Sequence, residues 1–175
     1  MVNRSIVALS MALAAATGQA QVVAQDLDGN NVAESFLDQA HGLLWTRPGV
    51  VPSHTHASAL IAVAALQVEG LGGWQLPTLA QFQALYATQG QSGVAMRAAP
   101  FPAYGTWYWT TNVAPGNAQE NLAFSPGNGA SNPFFHTTPV NVWAVRAVPE
   151  PASALLMALG VAALLWRRWS PRTGS

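Results

Sequence analysis

Four histidines and seven acids are the groups with which this chain could do acid–base or metal chemistry. His54 and His56 lie two apart in a segment that leads into a predicted helix, and His41, His136 or an acid could complete a ligand set. Zinc patterns such as H-E-x-x-H are absent, and loop histidines are more often solvated or capping, so no metal is expected from them. The run Asp26-Leu27-Asp28-Gly29-Asn30-Asn31 resembles the start of a calcium loop. An EF-hand needs glycine at its sixth position and a bidentate acid at its twelfth, where this chain has Asn31 and Leu37. The run is therefore expected to be an acidic turn. Ser92 in Gly90-Gln91-Ser92-Gly93 lacks the G-x-S-x-G spacing of a nucleophile elbow. Without lysine there is no Schiff base or P-loop, and without cysteine no disulfide, thiolate metal site or thiol nucleophile. A hydrolase would have to draw an unconventional carboxylate pair from Glu34, Asp38, Glu69 and Glu120, and nothing in their spacing selects two. No catalytic residue and no cofactor is expected; the secreted hydrolase stays as the alternative reading.

Aromatic residues give the stronger signal. In Trp107-Tyr108-Trp109 strand alternation places both tryptophans on one face and Tyr108 on the other. Trp45, Trp74 and Trp109 are expected in the core. Tyr104, Trp107 and Tyr108 are the candidates for stacking on a sugar, with nearby amides (Asn112, Asn117, Gln119, Asn121, Asn128) as hydrogen-bonding partners.

Half of the 175 residues are apolar and 8% are charged, far below the roughly 25% usual for soluble domains. The apolar excess lies in two terminal runs, Ile6–Ala16 and Ala152–Trp166. Between them, residues 21–148 carry three arginines against six acids, a net charge of −3. Such a domain lacks the cationic surface on which nucleic-acid affinity rests, so no nucleic-acid partner is expected.

Residues 1–20 read as a signal peptide: Arg4, then Ile6–Ala16, then Gly18-Gln19-Ala20 as a signal-peptidase site between Ala20 and Gln21. Its eleven apolar residues reach only about 16 Å, against a hydrocarbon core of roughly 30 Å. A second possible site follows Ala24. At the other end, Pro149-Glu150-Pro151 precedes Ala152–Trp166 and then Arg167, Arg168 and Arg172. The prolines disfavour helix ahead of the run, and the arginines favour the cytoplasmic side, so the tail is expected to insert with the domain outside. This order resembles the PEP-CTERM sorting signal, over residues 149–175 with the transmembrane helix at 152–166. The resemblance implies recognition and processing by an exosortase at the membrane. The chain would be exported, anchored by the tail, then held at the surface or released.

Between the ends, Phe36–Trp45 reads as strand, turn, strand around Asp38 and Gly42, and residues 48–55 as a loop. Ala57–Val68 reads as a buried helix ended by Gly70, Gly72 and Gly73. Thr78 and Gln81 have capping-box spacing ahead of a helix whose face is Leu79, Phe82, Leu85 and Tyr86, closed by Gly90. Past residue 90 no helix is expected; residues 107–112, 121–125 and 142–148 read as short strands. The fold class is α+β, two helices with a short-stranded antiparallel sheet.

Four segments in order resemble the Lcl C-terminal domain family, a family of unknown function. They are Asp38–Trp45 (with His41 where the family has Thr), Gly73-Trp74-Gln75-Leu76-Pro77-Thr78, Tyr108-Trp109-Thr110-Thr111 and Val145-Arg146-Ala147-Val148. Gln75, Gln81 and Ala147 replace the family's Arg, Glu and Cys. The resemblance implies a compact domain akin to the C-type-lectin-like fold, used in some members for surface adhesion. The combined reading is a non-catalytic module, delivered by signal peptidase and exosortase, that binds or structures exopolysaccharide in a biofilm.

Overall fold

The computed structural model describes residues 22–98 and 106–148. The expected signal peptide with Ala20 and Gln21, the residue Tyr104, and the tail from Pro149 onward lie outside the described residues. Among those described, no helix is long and apolar enough to cross a membrane.

The strands β1 (Val22–Gln25), β2 (Ser35–Asp38) and β3 (Leu43–Thr46) open the domain. The helices α1 (His56–Ala65), α2 (Leu79–Thr88) and α3 (Gly93–Arg97) follow, then β4 (Tyr108–Ala114), β5 (Asn117–Phe124), β6 (Ser131–Phe135) and β7 (Val145–Ala147). All strand pairs are antiparallel, in a four-stranded sheet β1-β2-β3-β7 and a three-stranded sheet β4-β5-β6. The fold is α+β, with strands divided between two sheets rather than gathered in one. The division arises because β7 returns from the end of the domain to pair with β3.

The first sheet separates two apolar clusters, as period-two alternation requires. On one side Phe36, Leu43, Trp45 and Val145 meet Phe82 and Leu85 of α2, with Met96, Tyr108, Phe124 and Trp143. On the other, Leu44 and Ala144 meet Ala59 and Val63 of α1, with Trp74, Leu76 and Trp109. Trp45, Trp109 and Trp143 are fully buried and Trp74 nearly so, as core residues.

Helix α2 is specified at both ends. The Thr78 hydroxyl accepts from the Gln81 amide at 3.1 Å, and the Gln81 side chain accepts from the Thr78 amide at 2.8 Å. Gln81 thus performs the box without the charge of the family's Glu. The amide of Leu79 is taken by Asn112 Oδ1, from an irregular stretch of β4 where pairing with β5 shifts register. At the C-terminus Gly90, at φ +67°, donates to Ala87 O and Gln91 to Tyr86 O, a Schellman closure.

Four elements depart from the sequence reading. A short helix, α3, forms past residue 90, started by the Ser92 hydroxyl accepting from the Ala95 amide. Strand β6 contains Pro133, tolerated because β6 is an edge strand and need not donate from that position. Strand β1 occupies Val22–Gln25, over the second possible cleavage site. Helix α1 also stops at Ala65, before its glycines, because Leu66 turns to extended backbone.

Candidate functional site

The aromatic candidates divide as alternation predicts. Trp107 and Trp109 join the cluster under α1, whereas Tyr108 points into the opposite cluster. Tyr108 is only 2% exposed, so it offers no open stacking face, a correction to its role as a ligand platform. It does form part of a shallow cleft of about 200 Å³ lined also by Pro48, Val51, Pro52, Ser53 and Asn141. Asn141 organises that cleft: it accepts from the Ser53 hydroxyl at 3.0 Å and donates to Trp107 O at 2.9 Å. Trp107 is half-buried and packs on Phe134 with ring centroids 5.6 Å apart. The sequence reading missed Ser53 and Asn141, because the two meet across 88 residues of chain. Of the candidate amides, Asn112 caps α2, Asn117 and Asn128 brace turns, and Asn121 is buried.

The histidines are structural contacts in the present geometry. His56 donates from Nε2 to Thr110 O at 3.0 Å, stands edge-on to Trp109, and stacks on His136 at 5.5 Å. Burial depresses the His56 pKa, and neighbouring His136 adds to the effect against the opposing hydrogen bond to Thr110. His54 pairs by its backbone with Val140. His41 lies apart, its Nδ1 2.8 Å from the buried Asp38 carboxylate.

Asp26, Asp28 and Glu34 bring carboxylate oxygens within 4.8 Å of one another, a set able to hold a hard cation such as calcium. The same three side chains already fold the β1–β2 connection. Asp26 accepts from the amides of Gly29, Asn30 and Asn31, Asp28 from Asn30, and Glu34 from Leu27. Desolvation works against the charge on Asp26, but the amides of Asn31, Gly29 and Asn30 outweigh it and lower its pKa. The turn is acidic and exposed, as its sequence implies. Glu69 and Glu120 stand outside this group, and Asp38 braces the β2–β3 turn.

The other functional segment begins where the sheet ends. Val148 donates to Gly42 O at 2.8 Å, and the next residue is Pro149, which has no amide hydrogen with which to extend the pairing. Residues 147–168 match the PEP-CTERM protein-sorting motif. The motif implies export, membrane anchoring followed by surface localisation, and an exosortase as processing partner. No curated protein matches the chain. The model of the Lcl C-terminal domain matches residues 34–146, which run from the entry of β2 into β7. The chain belongs to the Lcl C-terminal domain family.

Proposed function

We propose that this protein is a non-catalytic surface module that an exosortase releases from its membrane tail to bind or structure exopolysaccharide in a biofilm. The observation that carries the reading is the abutment of a complete folded domain, held as far as Val148, on a sorting motif that starts at once. The unit looks built to be delivered whole. Removal of a signal peptide after Ala20 fits the same scheme, because β1 pairs with β2 along its full length. A cut after Ala24 would delete three of the four residues of β1.

Support for a saccharide ligand comes from the polar groups of Ser53 and Asn141 in the cleft, and from the half-buried Trp107, whose backbone carbonyl accepts from Asn141. Aromatic faces suit the apolar side of a sugar ring, and hydroxyl and amide groups suit its polar edge. The test has two arms. Cells with and without exosortase are fractionated and the protein's mass is measured; a shorter, surface or released form is expected only with the enzyme. The purified released form is then titrated with the cells' own exopolysaccharide. Binding weakened by Trp107→Ala at unchanged melting temperature supports the ligand reading, and wild-type protein that fails to bind overturns it.

A further inference from the structure

The segment from His136 to Asn141, between β6 and β7, lies as a strap along the segment from Ser53 to His56 that enters α1. Three rungs join the two segments. The His56 amide donates to His136 O at 3.0 Å, His54 and Val140 exchange amide–carbonyl bonds of 3.1 and 3.0 Å, and the Ser53 hydroxyl donates to Asn141 Oδ1 at 3.0 Å. The last rung is the polar side of the cleft. The first carries the stacked imidazoles of His56 and His136, with ring centroids 5.5 Å apart and planes inclined by 25°. One short ladder therefore has a histidine pair at one end and the cleft at the other.

The stack fits neutral rings. His56 donates from Nε2 to Thr110 O at 3.0 Å, so a second proton must go to Nδ1 and give the ring a full charge. His136 Nε2 is buried and has no hydrogen-bond partner among the described residues. On a protonated His136 that nitrogen would be a charged donor with nothing to accept from it, a state that burial penalises. Two charged rings would also repel each other at this spacing. No carboxylate offsets either charge. Strands β4 and β6, helix α1 beyond His56 and the strap carry neither acid nor arginine, and Tyr108 of β4 points into the opposite cluster. His54 stands on the second rung. Glu120 of β5 has Phe135 as its Cα partner and forms no ion pair with either ring. Burial, with His136 beside it, already holds the His56 pKa below its ordinary value. Opening the stack restores the lost affinity for protons, so acid favours the open form.

The surrounding elements are ones that can open. Helix α1 has no side-chain cap and buries only Ala59 and Val63, and Thr137 and Pro139 of the strap are exposed. Few buried contacts place such a region at the low end of local stability. Helix α2 and the Phe82 cluster lie across the first sheet from it.

We infer that the His56–His136 stack is a proton-sensitive clasp on the Ser53–Asn141 cleft, closed while both rings are neutral and released in mild acid. The inference rests on the cleft being the saccharide site proposed above and adds its regulation: the ligand is held near neutral pH and let go as the surroundings acidify.

The test uses the full-length chain, untagged and in detergent, with isotope labels on histidine rings and asparagine side chains for NMR. Four histidines give four ring signals, and the Asn141 side-chain amide is assigned by its loss in Asn141→Ser. From about pH 7.5 to about pH 5, the Asn141 amide should shift with the same midpoint as the paired rings, at constant far-ultraviolet circular dichroism. In the double variant His56→Gln with His136→Gln that shift should vanish. A ring pair that does not titrate in this range overturns the inference. So does an Asn141 signal that stays still while the rings titrate, an unchanged response in the double variant, or a loss of dichroism at the same midpoint. If the double variant does not fold, His136→Gln alone decides, because it keeps the bond to Thr110 O. Removing the neighbouring ring should move the His56 and Asn141 midpoints together to higher pH, and unmoved midpoints overturn the clasp. Titration with the cells' exopolysaccharide separates the two readings. Wild-type binding should weaken by up to about tenfold per pH unit, the limit for one proton, and stay level in the double variant. Equal wild-type binding across the range overturns the clasp and leaves the saccharide reading standing. Absence of binding at every pH removes the saccharide reading, and the Asn141 signal then decides the clasp by itself.

Discussion

Helices α1 and α2 are each ten residues long and sit on opposite faces of one sheet, yet they are held in different ways. Helix α2 has its N-terminus closed by the Thr78–Gln81 box and by Asn112, its C-terminus closed by Gly90, and a phenylalanine at the centre of an aromatic cluster. Phe82 stacks on Phe124 at 5.0 Å and contacts Trp45 and Trp143. Helix α1 has no side-chain cap at Thr55 and buries only Ala59 and Val63, while Leu60 and Ile61 are exposed. Its first residue is instead pinned from outside, through the His56 amide to His136 O and the His56 ring to Thr110 O. One helix is defined by its own sequence; the other is placed by its neighbours.

The contrast is sharpest in the core. Phe82→Ala should destabilise the domain by about 3–5 kcal/mol, whereas Val63→Ala, which removes less volume from a sparser contact, should cost about 2 kcal/mol. Denaturant unfolding of the two variants measures both. Equal losses would mean that the two faces are packed alike.

The caps give the next step. Thr78→Ala should cost about 1 kcal/mol, because it frees the Gln81 amide. An unchanged unfolding midpoint would remove the box from the account. Proton binding provides a smaller, directional test on α1. Because the folded His56 pKa lies below its ordinary 6.5, the unfolded chain takes up the proton first as pH falls. Stability from this site is full above that value and declines below it, down to the depressed folded pKa. His56→Gln, which can still donate to Thr110 O, should flatten that part of the profile in thermal melts. The smallest effect belongs to Thr55→Ala, expected within about 0.5 kcal/mol of wild type because no cap is lost. A loss as large as that of Thr78→Ala would erase the distinction between the helices.

That distinction also explains what the sequence could reveal. The capping box, the Gly90 closure and the Asp38–Gly42 turn are short-range signals, read from residues within a few positions of one another. Trp107-Tyr108-Trp109 was legible for the same reason, since alternation fixes opposite faces without any partner. Legibility failed where the partner is distant. Pro133 argues against a strand until β5 makes β6 an edge, and the four residues Val22–Gln25 carry no strand signal of their own until β2 pairs with them. Helix α3 is a five-residue turn after a glycine stop, too short for a periodic pattern. The cleft needed Ser53 and Asn141 brought together by tertiary folding.

The central claim is that the tail is a processed sorting signal whose motif begins where the folded domain ends. Its most direct test is replacement of Pro149, Glu150 and Pro151 by alanine, followed by pulse–chase with fractionation in cells that contain an exosortase. Insertion depends on the apolar run and the flanking arginines, so the variant should still enter the membrane. It should then persist at full length in the inner membrane while the wild type is shortened and leaves. If the variant is processed at the wild-type rate, or the wild type is never processed, the tail is an anchor only and the account is wrong.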